Sequence, residues 1–183
     1  MKYALKNAVI LDGTKDMEPL RGQSVLVEGE TIVGLVPAGS EPMGFEPVDL
    51  SGKYLMPGLF NMHVHLAGSG KPQKKQRDNE KLVKTIMGSG LTRAVAYSMV
   101  RGFARDELMS GVTTIRTMGG LGNFDSRLRD EIAAGRQAGP RILAANQGIS
   151  VPCGHMAGSV AIAARSIDER SEEHTSELQS LHS

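Results

Sequence analysis

The chain has 183 residues, and its charges nearly cancel, with 21 lysines and arginines against 20 aspartates and glutamates. This balance argues against a protein that binds nucleic acid or a membrane surface, because such proteins usually carry a clear excess of basic residues. A hydrophobic fraction of 40% is sufficient for a packed core, and no apolar run approaches the ~20 residues of a membrane-spanning helix. The single cysteine, Cys153, excludes an internal disulfide, and the N-terminus lacks the features of a signal peptide, so we expect a soluble cytoplasmic protein.

Residues 1–57 are predicted to form short strands separated by turns. Three runs rich in valine, isoleucine and leucine, at 3–11, 24–28 and 31–36, alternate partly between apolar and polar residues, as half-buried strands do. Gly29 separates the second run from the third, where its tolerance of positive φ suits a tight hairpin. The segment is too short to form a stable stack of sheets, so we expect it to depend on further chain.

After residue 58 the pattern changes to alternating strands and helices. Compact or β-branched runs predict strands, and apolar residues at helical spacing predict helices. The predicted elements, in chain order, are strand 59–66, helix 91–110, strand 112–117, a helix from 125 or 126 to 135, strand 141–145, and a helix from Ser159 through Ile167. Residues 71–81 are expected to form an exposed loop or the start of a helix. The buried face of the helix at 91–110 is predicted to carry Leu91, Ala94, Val95, Met99 and Phe103.

This alternation predicts the α/β fold class, with parallel strands joined by right-handed crossovers. Two architectures fit the order, a doubly wound sheet and the beginning of a barrel. A complete (β/α)8 barrel needs ~250 residues, so this chain holds only about three of its units.

The clearest candidate site is the pair His63 and His65 on the predicted strand 59–66. Side chains alternate along a strand, so the two imidazoles point to one face and Val64 points to the other. Their Cα atoms are expected to lie roughly 6–7 Å apart, which allows both rings to converge on one ion. The alternative is two surface histidines on a half-exposed strand. A metal site is favoured, because the neighbouring apolar residues, Leu59, Phe60 and Leu66, indicate burial.

Residues 57–65 read PGLFNMHVH and, after a small-strand segment of this length, resemble the amidohydrolase superfamily. The resemblance implies a (β/α)8 barrel of the TIM type beside a small β-sandwich assembled from both ends of the chain. Residues 1–57 would then be the N-terminal part of the β-sandwich domain, and residues 58–169 the first β/α units of an incomplete barrel. The resemblance also implies that His63 and His65 bind a divalent metal, commonly zinc, in a centre of one or two ions.

Further motifs resemble the imidazolonepropionase-like and prolidase-like branch, which includes Xaa-Pro and Xaa-Arg dipeptidases. The matching residues occur in family order at 111–116 (GVTTIR), 119–120, 128–129, 139–142 (GPRI) and 154–155. Two positions depart from the pattern: Thr117 stands where many relatives have aspartate, and Cys153 stands where they often have the first glycine of Gly-Gly-His. By resemblance, His155 would contact the carbonyl or carboxylate of the substrate. The alternative is a loop histidine bonded to the local backbone.

The function implied by this resemblance is metal-dependent hydrolysis of a C–N bond in a small amide, cyclic amide or dipeptide. The nucleophile would be a metal-activated hydroxide, since the ion lowers the pKa of bound water from 15.7 towards ~7. In the family, a lysine, two further histidines and the catalytic aspartate come from later strands, which we expect to lie beyond this chain. No catalytic residue is therefore assigned here. Neither nucleic acid nor a membrane is an expected partner, and a homo-oligomer of the full-length form stays open.

The last residues of the chain, 170–183, are not expected to be part of the natural protein. Residues 170–180 read RSEEHTSELQS, which matches the in-frame translation of a common sequencing-library adapter. We expect residues 170–183 to be an artefactual tail rather than a genuine polar helix, and assign no role to His174 or His182. The chain is then an N-terminal fragment, expected to be inactive and aggregation-prone alone, because about three parallel strands leave an open edge and an uncovered apolar face.

The alternatives to a metal-dependent hydrolase are a deaminase, a scaffold protein and a nucleotide-binding domain. A deaminase of the same superfamily would differ in pocket residues that this chain lacks. A naturally truncated, non-catalytic interaction or scaffold protein would need a genome-encoded tail and a fold that forms without metal. A doubly wound nucleotide-binding domain is disfavoured, because Asp125 stands where the third glycine of the dinucleotide fingerprint belongs after Gly120 and Gly122. No base can be paired with Cys153, so a small loop residue is a better interpretation than a nucleophile.

Overall fold

The computed structural model describes residues 1–70 and 78–169. The chain divides into two units, Met1–Pro57 and Gly58–Ser183. The sequence segment 71–77 and the tail at 170–183 lie outside the described residues. Within the described ranges, no helix combines the length and the apolar character needed to cross a membrane.

The first unit contains six short strands, which are β1 (Lys2–Lys6), β2 (Val9–Ile10), β3 (Gln23–Glu28), β4 (Thr31–Pro37), β5 (Glu46–Asp49) and β6 (Tyr54–Leu55). Four of them form a sheet in the order β4-β3-β1-β5, in which β1 and β5 run parallel and the other neighbours run antiparallel. β2 and β6 form a separate parallel pair. Gly29 has a φ of 62° in the turn between β3 and β4, as the hairpin prediction requires.

A polar cluster joins β3 to the segment after β4. Ser24 is fully buried and donates its hydroxyl to Glu41 Oε1 at 2.6 Å, while Gly39 N–H donates to the same oxygen at 3.1 Å. Lys6 Nζ lies 3.2 Å from the other carboxylate oxygen. The Ser24 hydroxyl, followed by the Gly39 amide, lowers the pKa of Glu41 to about 2. The ionised carboxylate therefore connects three separate segments of this unit.

The second unit alternates strands and helices. Its elements are β7 (Leu59–Val64), α1 (Asn79–Met87), α2 (Gly90–Met109), β8 (Val112–Thr117), α3 (Phe124–Ala133), β9 (Arg141–Leu143), β10 (Gly148–Ser150) and β11 (Ala161–Ala163). β7, β8 and β9 form a parallel sheet in chain order, and β10 pairs in parallel with β11. Parallel neighbours joined by helices confirm the predicted α/β class.

The core of the second unit brings residues of the parallel sheet together with residues of α2 and α3, among them the fully buried Ile115 and Leu128. The predicted buried face of α2 is wrong except at the partly buried Phe103, because Leu91 and Val95 are 77% and 56% exposed. Ala94 and Met99 are exposed as well. The helix carries two apolar stripes at helical spacing, and the second one packs inward. Its buried residues are Ala96, Tyr97, Val100 and Ala104.

The helix predicted from Ser159 through Ile167 is wrong over most of its length, where residues 161–163 form β11. Ile162 pairs with Ile149 of β10, and Ala164 N–H donates to Ser150 O at 2.9 Å. The β-branched residues of this run favour extended backbone, and a parallel partner satisfies its polar groups. A helical segment begins only at residue 167.

The start of α1 falls within the segment predicted to be a loop or a helix start. Asp78 precedes the helix in extended conformation, and its side chain accepts a hydrogen bond from Lys81 N–H at 3.0 Å. This is the usual N-cap arrangement, in which an acidic side chain satisfies a backbone donor of the first turn. The helix at 79–87 was not recognised from the sequence as a complete element.

Candidate metal site

Two imidazoles come together at the carboxyl end of β7. His63 Nε2 and His65 Nε2 lie 3.2 Å apart, and the ring centroids are 5.1 Å apart with an interplanar angle of 69°. A tetrahedral zinc ion with nitrogen ligands at about 2.0–2.1 Å separates two such nitrogens by roughly 3.3 Å. The spacing of the two Nε2 atoms therefore fits a shared ion.

A β-bulge interrupts β7 beside the first of these histidines. The step from Asn61 to Val64 on β7 pairs with a shorter step from Ile115 to Thr117 on β8, so β7 holds an extra residue there. A bulge changes the direction of a side chain and releases backbone groups from the ladder. The N–H of His63 donates instead to Asn61 Oδ1 at 3.3 Å. The simple alternation expected for this strand is thus modified where the candidate site lies.

A backbone carbonyl fixes the ring of His65. Its Nδ1 lies 3.1 Å from Gly119 O, and because a carbonyl only accepts, Nδ1 must carry the proton in this bond. In the neutral ring, Nε2 then holds the free lone pair that a metal ligand needs. Metal-binding histidines in proteins commonly donate their other ring N–H to a backbone carbonyl or a carboxylate. His65 therefore has the tautomer and the support of a ligand.

The histidine pair lines a cavity of about 560 Å³. One wall is apolar and comes mainly from the two helices that follow β7, with Leu82, Val83, Ile86 and Phe103. Polar groups at the same cavity include Asn61, Asp106 and Glu107. The volume lies within the range of small-molecule sites, which are mostly apolar with a few polar groups that fix orientation.

The expectation that the apolar neighbours bury the histidine pair is wrong for two of the three. Leu59 and Phe60 are 48% and 70% exposed, whereas Leu66 is buried. His63 and His65 are themselves exposed. The reason is topological, since β7 is an edge strand of the sheet β7-β8-β9. The histidines are thus accessible from solvent, and hydrogen bonds rather than surrounding side chains hold the ring of His65.

His155 does not line the cavity that the histidine pair lines. It is exposed, in the segment between β10 and β11. Cys153, two residues earlier, is an exposed free thiol with a φ of 59°. A substrate contact by His155 stays a prediction.

Asp125 carries a buried carboxyl group near the candidate site. From the sequence it is considered only as a possible first residue of a helix and as the residue in place of the third glycine of the dinucleotide fingerprint. The N-cap of α3 is Asn123, and Asp125 lies inside the first turn, 1% exposed. Among the described residues neither of its oxygens has a donor in good hydrogen-bond geometry, and only the Thr117 hydroxyl lies close enough to act on its pKa by hydrogen bonding. One signal in the sequence pointed to its burial: Asp125 shares helical spacing with Leu128 and Ile132, which pack into the core.

Burial raises the pKa of Asp125. The hydroxyl of Thr117 and the electrostatic influence of His65 act in the opposite direction and lower it. The Asp125 carboxyl group is therefore electrostatically linked to the candidate metal ligand. This link is reciprocal, so a positive charge at the histidine pair favours the ionised form of Asp125.

Within the described part of the chain, no group of three or more histidine, cysteine, aspartate or glutamate side chains is arranged to hold a metal ion. The donor set at the candidate site therefore consists of two imidazoles. Imidazole nitrogen suits zinc and other first-row transition metals better than calcium or magnesium. The chemistry of the two side chains fits the divalent ion that the sequence predicts.

Comparison with known proteins shows which family the chain belongs to. The amidohydrolase family model matches residues 54–181, which include most of the tail whose adapter origin stays a prediction. A dihydroorotase from Bacillus pumilus is 36% identical over 75 residues, which are 41% of this chain and 17% of the relative. A dihydroorotase from Trichlorobacter lovleyi is 32% identical over 71 residues, 37% of this chain and 17% of that protein.

Solved structures agree with the family match. A Bifidobacterium longum protein provisionally named a prolidase has 30% sequence identity and a TM-score of 0.72, with 98% of this chain and 38% of that chain covered. A Xaa-Pro dipeptidase with bound methionine in its active site has 23% identity and a TM-score of 0.73, with 98% of this chain and 45% of that chain covered. At this identity the similarity supports the fold alone. This chain spans less than half the length of these relatives. Because the family match covers well over half of its residues, the chain belongs to the amidohydrolase family.

Proposed function

We propose that this chain carries the first ligand pair of a metal-dependent hydrolase that cleaves a C–N bond in a small amide, cyclic amide or dipeptide. The observation that supports this most strongly is the convergence of His63 Nε2 and His65 Nε2 at 3.2 Å. The family match and the relatives named dihydroorotase and prolidase support the same reaction class.

Each residue of the site has a defined task in this proposal. His63 and His65 would hold a divalent ion, most simply zinc, through their Nε2 atoms. When bound, such an ion polarises a carbonyl oxygen and supplies a nucleophilic hydroxide at neutral pH. Gly119 O keeps His65 in the tautomer that presents Nε2, through the 3.1 Å bond to Nδ1.

The substrate would occupy the cavity beside the histidines. Apolar side chains of α1 and α2 on one wall can accept the hydrocarbon part of an amide or dipeptide. Asn61 offers a side-chain amide at the same cavity, beside the histidine pair. His155 remains our candidate for a contact to the substrate's carbonyl or carboxylate.

The parallel sheet β7-β8-β9 is proposed to be the first part of a (β/α)8 barrel. Its strands follow one another in chain order with helices between them, which is the arrangement of such a barrel. Residues 1–57 are proposed to form part of an accompanying β-sandwich domain. Two imidazoles are fewer than the three protein ligands of a catalytic zinc site, so we propose that this chain alone does not hydrolyse substrate.

The test is zinc binding by the 183-residue chain, measured by competition with a chromophoric chelator at low micromolar protein, because the open edge of its sheet favours aggregation at higher concentration. We expect one zinc ion per chain in the wild type and no specific binding after His63→Ala or His65→Ala. His155→Ala is the matched control, because this histidine is exposed outside the cavity lining. Equal zinc binding by the wild type and His63→Ala would exclude the proposed site.

A further inference from the structure

The second unit contains a buried carboxyl group with no assigned task, that of Asp125. Its side chain is 1% exposed, and among the described residues neither oxygen has a donor in good hydrogen-bond geometry; only the Thr117 hydroxyl lies close enough to lower its pKa by hydrogen bonding. Burying an unpaired carboxylate costs several kcal/mol in a protein interior unless a positive charge lies nearby. A buried polar group without a partner in a natural protein calls for an explanation.

Asp125 is connected to the candidate metal site through two consecutive glycines. A Cβ atom on Gly120 would lie 2.6 Å from Asp125 Oδ2 and 2.9 Å from Oδ1, so the carboxyl group packs directly against this glycine. The preceding residue, Gly119, supplies the carbonyl that accepts the Nδ1–H of His65. The Asp125 side chain thus contacts the residue next to Gly119, whose carbonyl orients His65.

Asp125 is also linked to the histidine pair by charge. Burial raises its pKa, and the electrostatic influence of His65 is one of two effects that lower it. The other is the hydroxyl of Thr117, which accepts a hydrogen bond from Ala145 N–H at 3.1 Å. A cation at the two histidines would bring a larger positive charge to the same place. Attraction between that cation and the Asp125 carboxylate would favour binding of the cation.

We propose that Asp125 is a positioning residue for the metal: its carboxyl group packs against Gly120, beside the Gly119 carbonyl that orients His65, and its negative charge strengthens cation binding at the histidine pair. This inference rests on the proposed function, because it presumes an ion at His63 and His65. It adds a residue that binds neither ion nor substrate. Asp125 acts through the backbone and through its charge.

The variant Asp125→Asn tests this proposal, since it removes the charge and keeps the shape. Asp130→Asn is the matched control on the same helix, where the side chain is exposed and bonded to Arg129. For each variant we would measure the dissociation constant for Zn²⁺ by chelator competition and the Tm of the metal-free chain. We expect Asp125→Asn to weaken zinc binding by roughly tenfold, the lower end of the effect of supporting residues on metal affinity. Asp130→Asn should leave both quantities unchanged.

The Tm separates a role at the metal from a merely structural one. In the metal-free chain, a buried neutral amide costs less than a buried unpaired carboxylate, so Asp125→Asn should have an unchanged or higher Tm. Weaker zinc binding together with an unchanged or higher Tm supports the proposal. Zinc binding equal to the wild type, or a fall in both affinity and Tm, overturns it.

Two further variants complete the test. Asp125→Ser repeats the measurement if the asparagine variant does not fold, and failure of both to fold would make Asp125 structural and overturn the inference. His63→Ala separates this inference from the proposed function. If the wild type binds zinc no better than His63→Ala, the proposed metal site itself fails. If the wild type binds zinc and Asp125→Asn binds it equally well, only the role of Asp125 fails.

Discussion

Gly58 shows how a single residue determines the geometry at the start of the first parallel strand. A Cβ atom at this position would lie 2.0 Å from Thr113 Oγ1 and 2.3 Å from Thr113 Cγ2. No side chain fits in that space unless Thr113 moves, so packing between β7 and β8 requires glycine at position 58. The Leu59 N–H bond to Gly111 O at 2.9 Å follows directly after this close contact.

Glu41 gives a pH dependence at the residue scale. Its pKa falls from 4.5 to about 2 in the folded chain, mainly through the Ser24 hydroxyl. A carboxyl group with a lowered pKa stabilises the fold above its unfolded pKa and loses this contribution as the pH falls towards the folded value. The free energy of unfolding should therefore decrease between about pH 4.5 and about pH 2, and this decrease should be smaller in Glu41→Gln.

Urea unfolding followed by circular dichroism at several pH values measures this difference. Glu30→Gln, in the exposed turn between β3 and β4, is the control and should keep the pH dependence of the wild type. If Glu41→Gln and the wild type lose stability in parallel over this range, the hydrogen bonds to Glu41 do not stabilise the fold.

At the scale of the elements, helix α2 provides a test of which face is buried. Val100 is 2% exposed, whereas Val95, one and a half turns away, is 56% exposed. Complete burial of a valine side chain contributes about 1.5–3 kcal/mol. We expect Val100→Ala to lower the free energy of unfolding by about 2 kcal/mol.

The matched substitution Val95→Ala should change stability by less than about 0.5 kcal/mol, as surface changes usually do. Urea unfolding of the two variants compares the faces directly. A larger loss in Val95→Ala than in Val100→Ala would show that the face predicted from the sequence, with Leu91 and Met99, is the buried one after all.

Much of the element order could be predicted from the sequence because periodicity and turn residues act locally. The strands β3, β4, β7 and β8 and the helices α2 and α3 were recognised in this way. The buried face of α2 could not be recognised, since Val95 and Val100 lie on two stripes of similar hydrophobicity and only the position of the sheet distinguishes them. The same holds for residues 161–163, which form a strand because β10 is available as a partner.

The candidate site was predictable in part for the same reason. Two histidines two residues apart on a strand are a local signal, and His63 and His65 could be named from it. The bulge beside His63 depends on the register with β8, and the contact of His65 with Gly119 O joins residues 54 positions apart. Asp125 was missed because its significance comes from Gly120 and His65, which its own segment does not contain.

At the scale of the whole molecule, the main question is what a chain of this length can do. It spans 38% of the Bifidobacterium longum relative and 45% of the Xaa-Pro dipeptidase. Binding of an ion by the histidine pair and hydrolysis of a substrate are therefore two separate properties of this protein. We expect the first in this chain and not the second, because two imidazoles do not complete a catalytic zinc site.

X-ray absorption spectroscopy of the zinc-loaded chain would test this account most directly, since it counts and identifies the atoms bound to the ion. We expect two imidazole nitrogens at about 2.0–2.1 Å, with oxygen ligands from water completing the coordination. In His65→Ala, the imidazole contribution should fall. A zinc spectrum without imidazole ligation, or one unchanged in His65→Ala, would contradict the assignment of His63 and His65 as the metal ligands.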